Sequence, residues 1–340
     1  MRTMRRVLLW TTLLLVLAVA LLGALLGFDY LRFIDRPLAI ADSDQRLEID
    51  RGKSLSAIVE RIDRKGLADA PRWYWRVLAH QLGVARSLKA GEYALQAGLT
   101  PRGLLQKIAR GEVLAYDFTI VPGWNFRELR QALARAPQLE HASAAMGEAD
   151  LMRRVGLPGI AAEGRFLPET YRYTRGMSDL DLLERAGRAM QRAMEQVWAG
   201  RAQDLPLTTP EELLTLASII EKETGRAGER AEIAGVFVRR LRIGMRLQTD
   251  PTVIYGVGPG FDGNLTRRHL QTDTPWNTYV RGGLPPTPIA MPGLLALAAA
   301  AHPADGKTLY FVSRGDGSHQ FSATLAEHNA AVRRWQLGQR

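Results

Sequence analysis

Read as a string of apolar and polar positions, the chain opens on one unbroken apolar run and then breaks into short periodic segments separated by turns. Val7 to Phe28 carries no charge; at about 1.5 Å per residue a helix of that length crosses roughly 30 Å of hydrocarbon. Leu47 and Ile49 alternate with polar neighbours as a strand does. Ser54 then caps a helix carrying Leu55, Ile58, Val59 and Ile62 that stops at Gly66. Pro71 opens a second helix through Trp73, Tyr74 and Trp75, ending near Gly83, and Gly91 to Leu95 reads as a returning strand. A helix follows Thr100-Pro101, with Leu104, Leu105 and Ile108 inward and Gly111 as its stop, and Tyr116 to Val121 is a strand before Pro122-Gly123 turns the chain. Farther on, Phe126 to Ala136, Asp179 to Trp198, Glu229 to Ile243 and Leu294 to Ala301 have helical period, the last as a final buried helix. Leu309 to Val312 is a core strand. The pattern predicts an α+β protein: a cytoplasmic tail over residues 1–6, a transmembrane helix over 7–28, a tether over 29–45, a small strand–helix–helix–strand module over 46–116, and a mainly helical domain with short strands over 117–340.

One position in the stretch from Thr209 to Gly258 departs from this pattern. Thr209-Pro210-Glu211-Glu212 joins an N-cap threonine, a proline at the first helical position and a capping-box glutamate, so a helix starts here, with Gly225 as its stop. At about 100° per residue, Leu213, Leu216, Ala217 and Ile220 define one face and Leu214 widens it. Glu221 falls inside that stripe, whereas Lys222 points the opposite way and Glu223 lies at its far edge. Residues two apart on a helix diverge, so the two glutamates are not a pair set roughly 5 Å apart about a scissile bond. A carboxyl held against apolar side chains is costly to ionise and can keep a proton to donate near neutral pH. Glu221 is therefore a candidate general acid; the competing reading is a helix-end glutamate that turns outward or pairs with an arginine.

Composition narrows the classes. With 46% hydrophobic and 24% charged residues, the 340-residue chain is ordinary globular material of two or three domains. The net charge of +10 raises nucleic acid as a partner, but the arginines that dominate it are scattered through helical segments rather than gathered in a stripe, so none is expected. Zero cysteines exclude disulfides and thiolate metal sites, and the six histidines show no metal-ligand spacing; no metal and no cofactor are expected. Arg2, Arg5 and Arg6 before the apolar run place the N-terminus in the cytoplasm and the rest outside it. Ala18-Val19-Ala20 mimics a signal-peptide cleavage site, but the leucines beyond it favour a retained anchor.

Four segments, Leu216 to Thr224 (LASIIEKET), Arg240 to Gly256 (RLRIGMRLQTDPTVIYG), Trp276 to Tyr279 (WNTY) and Gly283 to Gly293 (GLPPTPIAMPG), resemble the endolytic murein transglycosylases of the YceG-like family, in that family's order. The resemblance implies a membrane-anchored enzyme that cuts peptidoglycan glycan strands internally, with Glu221 at the catalytic position. It also implies a LysM-like module in the βααβ segment and a lysozyme-like catalytic domain. On this reading Gln248 and Asp250 line the cleft beside Glu221, and Asn277 and Tyr279 orient the sugar. Glu163 opens a segment similar to the family's EGYLFPDTY, with Arg165 in place of an aromatic, and is the other carboxylate considered for the cleft; a plain charge at a loop start explains it equally well. The family also carries a glutamate between the residues matching Pro122 and Gly123. That turn is far from Glu221 in sequence, so its loss is expected to leave catalysis untouched.

Peptidoglycan strands and the membrane are the expected partners, with peptidoglycan synthases as neighbours. One acid suffices if the substrate's own 6-hydroxyl is the nucleophile. A hydrolytic muramidase and a non-catalytic wall-binding scaffold are the alternatives. Trp73, Tyr74 and Trp75 are either core or a sugar-stacking surface. Arg239, Arg240, Arg242 and Arg246 are either a solvated face or a carboxylate-binding cluster.

Overall fold

The computed structural model describes residues 2–42 and 44–338. It is a mixed helical and sheet protein that divides into two compact units, one running to Tyr116 and including Thr174–Gly176, the other made of Asp117–Tyr173 and the chain from Met177 onward.

The first unit begins with α1 (Arg2–Asp35). Arg6–Asp35 is long and apolar enough to cross a membrane, and none of its most apolar window is buried in the protein. There follow β1 (Arg46–Ile49), α2 (Leu55–Arg64), α3 (Arg72–Gln81), β2 (Gly91–Ala94) and α4 (Pro101–Arg110). The two strands pair antiparallel, Leu47 opposite Tyr93 and Ile49 opposite Gly91. Local chemistry sets the boundaries: Ser54 accepts the Ala57 N–H, Thr100 accepts the Gly103 N–H, and Gly111 closes α4 in the left-handed conformation. The tether expected over residues 29–45 begins instead as helix, because α1 runs on to Asp35. Phe33 and Ile34 from its last turns, with Leu38 after it, join the core of Leu47, Ile62, Trp75, Leu78, Tyr93 and Leu104. The Leu38 and Ala39 N–H groups bond the Leu99 and Leu67 carbonyls at 2.8 Å each.

The aromatic triplet divides. Tyr74 and Trp75 are buried, with Trp75 edge-on to Phe33 and the Tyr74 hydroxyl donating to Asp29 at 2.8 Å. Trp73 is 47% exposed.

The second unit takes in most of β3 (Ala115–Thr119) and β4 (Thr170–Thr174), whose first two residues and last residue respectively belong to the first unit, together with α5 (Phe126–Leu133), α6 (Glu148–Arg154), α7 (Asp179–Ala199), α8 (Pro210–Glu223), α9 (Arg230–Arg242), α10 (Asp250–Val257), α11 (Arg267–Gln271), α12 (Leu294–Ala301), β5 (Tyr310–Ser313), β6 (His319–Ser322) and α13 (Leu325–Trp335). β3 pairs with β4, and β5 pairs antiparallel with β6. The helix α12 has its expected bounds but is not the last, since α13, capped by Thr324 and Glu327, packs on β5.

The helix α8 is the spine of this unit. Its capping box and N1 proline are as the sequence dictates, but its surroundings are not. Every residue from Leu213 to Ile220 is buried, Thr215 and Ser218 included, because α7, α9, α10 and α12 all pack against it. A helix apolar on one stripe lies on a surface; one buried all round is a core helix. Ser218 is tolerated there because its hydroxyl donates to the Thr215 carbonyl and accepts the Ile289 N–H at 3.0 Å.

Trp75→Ala is expected to destabilise the protein by about 3–5 kcal/mol, as for other fully buried aromatics. Trp73→Ala should cost under about 1 kcal/mol. Denaturant unfolding monitored by circular dichroism separates the two.

Candidate active site

The α8 helix ends where the packing around it ends, and its last turn delivers Glu221, Lys222 and Glu223 to three different environments. Thr224 follows as the C-cap in extended conformation, and the expected stop, Gly225, comes directly after it. The Glu221 side chain is only 6% exposed, yet polar groups and not the apolar stripe hold its oxygens. Arg230 Nη2 donates to Oε1 at 3.3 Å and the Gly293 N–H donates to Oε2 at 2.8 Å. Of the two readings of this residue, the arginine-paired one describes its contacts, and the pairing leaves it turned inward. A Cβ on Gly293 would lie 3.4 Å from Glu221 Oε2 and 3.8 Å from Pro122, in ordinary van der Waals contact with both.

The Pro122-Gly123 turn is therefore part of this site. The Gly123 N–H bonds the Met291 carbonyl at 2.9 Å, the Met291 N–H bonds the Trp124 carbonyl at 2.7 Å, and Lys222 Nζ reaches the Gly123 carbonyl at 3.2 Å. The expectation that distance in sequence keeps this turn apart from Glu221 is overturned, since it bonds Lys222, the residue after Glu221, and Met291, two residues before Gly293.

Glu223 turns to the other side of α8. It accepts a hydrogen bond from Thr249 Oγ1, and burial pushes its carboxyl up to about 7, with Asp250 adding to the rise and Thr249, His319 and Arg240 opposing it. Asp250 Oδ1 accepts from the Tyr279 hydroxyl at 2.6 Å. Asp250 and Tyr279 are thus brought together, and the α8 carboxyl they act on is Glu223. Gln248, in the left-handed conformation (φ 47°), is exposed, and its N–H bonds the Thr278 carbonyl.

Asn277 does not line a cleft, since it is fully buried. Its amide donates to the carbonyls of His269, Leu270 and Thr272, and its carbonyl accepts the Tyr279 N–H. With all its groups satisfied internally, it is a loop staple rather than a sugar-orienting residue. The neighbouring Thr278 hydroxyl accepts the Thr249 N–H at 3.1 Å and lies 2.8 Å from the Thr252 hydroxyl.

Glu163 is a buried acceptor and not a surface charge. Both of its oxygens lie 3.1 Å from the Phe126 N–H, and the Tyr255 hydroxyl donates to Oε2 at 3.0 Å. Phe126 is the first residue of α5, so the carboxyl sits on a helix N-terminus. Burial nevertheless dominates and raises its pKa to about 7, against these hydrogen bonds. It lines a cavity of about 730 Å³ with Arg127, Tyr255, Trp276 and Thr287. Glu221 is not in that lining; the loop that ends at its partner Gly293 is tied through Met291 to the turn leading into α5, whose first residue, Phe126, bonds Glu163.

The arginines at the end of α9 bond mostly backbone carbonyls, with Arg242 also paired to the Asp204 carboxylate. Arg239 donates to the Thr308 and Ala304 carbonyls, Arg240 to those of Leu309 and Leu247, Arg242 to Asp204, and Arg246 to the Tyr279 carbonyl. Arg239 and Arg240 are thus turned inward, whereas Arg242 and Arg246 lie on the exposed face, and all four have partners within the protein. Arg230, which sequence reasoning passed over, is the arginine at Glu221. The available signal was its place in the first turn of a helix that must fold back on one ending in a carboxylate. His319 fixes that turn, with Nδ1 at 2.7 Å from Glu229 and its N–H on the same carboxylate.

The family model described as YceG-like matches residues 47–334. The chain belongs to the YceG-like family. It is similar to a protein of Bacillus subtilis named endolytic murein transglycosylase, 27% identical over 306 residues covering 85% of this chain and 84% of that protein. A Streptococcus pneumoniae protein of the same name is 26% identical over 279 residues, 72% of this chain and half of its own length. A crystal structure of a yceG-like protein from Listeria monocytogenes superposes with a TM-score of 0.54 at 27% identity, covering 84% of this chain and 98% of that one.

Because Glu163 is held near 7 when folded against an ordinary 4.5, the folded state binds the extra proton between those values, and stability falls as pH rises through them. Glu163→Gln keeps an acceptor for Phe126 but cannot ionise. Relative to wild type it is expected to gain up to about 3 kcal/mol between pH 5 and pH 8, read as a widening difference in unfolding midpoint.

Proposed function

We propose that this YceG-like protein is an endolytic peptidoglycan lytic transglycosylase whose general acid and base is Glu221. The observation that carries the reading is a buried carboxyl at the exit of the core helix α8, at the position the family resemblance assigns to catalysis, with a backbone N–H aimed at one of its oxygens. The names of the Bacillus and Streptococcus relatives support the same substrate.

Glu221 protonates the glycosidic oxygen as the bond from the muramic anomeric carbon breaks. The resulting carboxylate then takes the proton of the same sugar's 6-hydroxyl as that oxygen bonds the anomeric carbon. One strand end becomes a 1,6-anhydro ring, the other a free hydroxyl, and no water is consumed. The attack is intramolecular and gains several kcal/mol from proximity, so a second carboxylate is not required. The Gly293 N–H steadies the carboxylate through both steps, a preorganised donor of the kind that lowers barriers where charge develops. Asp250, Tyr279 and Glu163 are the proposed glycan-contacting groups, and Gln248, exposed two residues before Asp250, is a fourth.

The second unit is read as the catalytic domain, lysozyme-like in presenting its acid from the end of a buried helix. The first unit, with paired strands flanking two helices, is read as the LysM-like module. The helix α1 is the anchor, with the arginines before it on the cytoplasmic side and both units facing the wall. Trimming of newly made strands beside peptidoglycan synthases is the physiological setting this arrangement suits.

Uncross-linked glycan strands digested with the full chain in detergent and read by mass spectrometry are expected to gain anhydro-muramic ends. Glu221→Gln should lower the rate by at least roughly a thousandfold, the upper range for loss of a general acid. Reducing ends, heavier by one water, would identify a hydrolase instead. Products unchanged by the substitution would remove Glu221 from the mechanism.

A further inference from the structure

Arg230 is more deeply enclosed than its bonding explains. Its side chain is 12% exposed and touches Glu221 through one nitrogen at 3.3 Å, while its Nε is buried without a protein hydrogen-bond partner. A guanidinium has five N–H donors in a planar fork that matches a carboxylate through two parallel bonds; here the Glu221 contact is single.

The other charges around the end of α8 are already engaged. Glu229, the residue before Arg230, is held by His319 at 2.7 Å, and Arg226 donates to the Asp316 carbonyl at 2.7 Å. Lys222 is on the Gly123 carbonyl, Glu223 on Thr249, and Arg240 on the Leu309 and Leu247 carbonyls. A buried ion pair with donors left over adds little to stability, but it suits a group that completes its bonding on a ligand.

We propose that Arg230 binds a carboxylate of the glycan strand, carried on the muramyl lactyl group or its stem peptide, and that this exchange frees Glu221 to act. The inference rests on the transglycosylase reading of the site. In the unliganded arrangement both Glu221 oxygens face donors, so an O–H on either would point at an N–H. When a substrate carboxylate takes the Arg230 fork, Oε1 loses its donor and can carry the proton toward the glycosidic oxygen, while the Gly293 N–H still holds Oε2. After proton donation the same guanidinium is close enough to steady the carboxylate. Arg230 makes and breaks no covalent bond; toward the reaction it is a positioning residue, and toward the strand a binding one.

The test compares anhydro-end formation on native uncross-linked strands and on strands whose carboxylates have been converted to neutral methylamides by carbodiimide coupling. Wild-type kcat is expected to fall at least roughly tenfold on the neutral strands, the scale of one charge-assisted hydrogen bond. Arg230→Gln should be slow on both and indifferent to their charge. Arg230→Lys, a cation without the fork, should regain part of the charge dependence. The wild-type comparison needs no variant and so does not depend on how either one folds. Equal wild-type kcat on the two substrates, with only KM changed, would overturn the role while leaving the transglycosylase reading intact, as would an Arg230→Gln protein that keeps the full charge dependence. Absence of anhydro ends from both substrates would overturn the underlying reaction and this role with it.

Discussion

The constraint on which the second unit depends is the burial of α8 on every side. A helix enclosed by α7, α9, α10 and α12 has no freedom to rotate or slide, since each of its apolar side chains fills a gap in close-packed surroundings. Its end is therefore a fixed point from which a carboxyl can be presented. That rigidity extends into the neighbouring loop through Ser218, whose hydroxyl ties Ile289 to the helix. The loop in turn carries Gly293, whose N–H meets Glu221. The position of Glu221 thus descends from core packing through two hydrogen bonds.

The same logic accounts for the polar residues around it. Asn277 and Thr278 are buried and bond the segments that pass over them, so the WNTY segment works chiefly as a clamp on the turn before α10. Arg239 and Arg240 do for the C-terminal segments what Asn277 does for this turn, closing carbonyls that helix ends and loops leave open. What is left with chemical capacity is a short set of carboxyls, each placed by a different device. Glu221 has an arginine and a backbone N–H, Glu223 a threonine hydroxyl, and Glu163 a helix N-terminus and a tyrosine.

In the first unit, the apolar helix and the small module share one core. Phe33 and Ile34 lie among the side chains of α2, α3 and α4, and Arg102 pairs with Asp35 at 3.1 Å. A helix that runs on into the core of the next fold cannot swing freely at that junction.

The sequence by itself determined the elements whose cause is local. Thr209-Pro210-Glu212 starts α8, Ser54 and Thr100 start α2 and α4, Gly111 ends α4, and Leu294 to Ala301 is a helix because nothing in it breaks one. It also placed Glu221 in the last turn of a helix, since periodicity of 3.6 residues is a property of neighbours along the chain. The environment of Glu221 was decided by tertiary structure alone. Gly293 is 72 residues away and Pro122 nearly a hundred, and no period or cap connects them. Glu163 meets Tyr255 across 92 residues, which is why a loop-start charge and a buried carboxyl read alike in sequence. Asn277 stood beside a motif and looked chemical, yet burial made it structural. Helices are encoded by contacts three and four residues apart; the partners of a buried charge are encoded by which distant segments the core brings together, and only the packed chain contains that information.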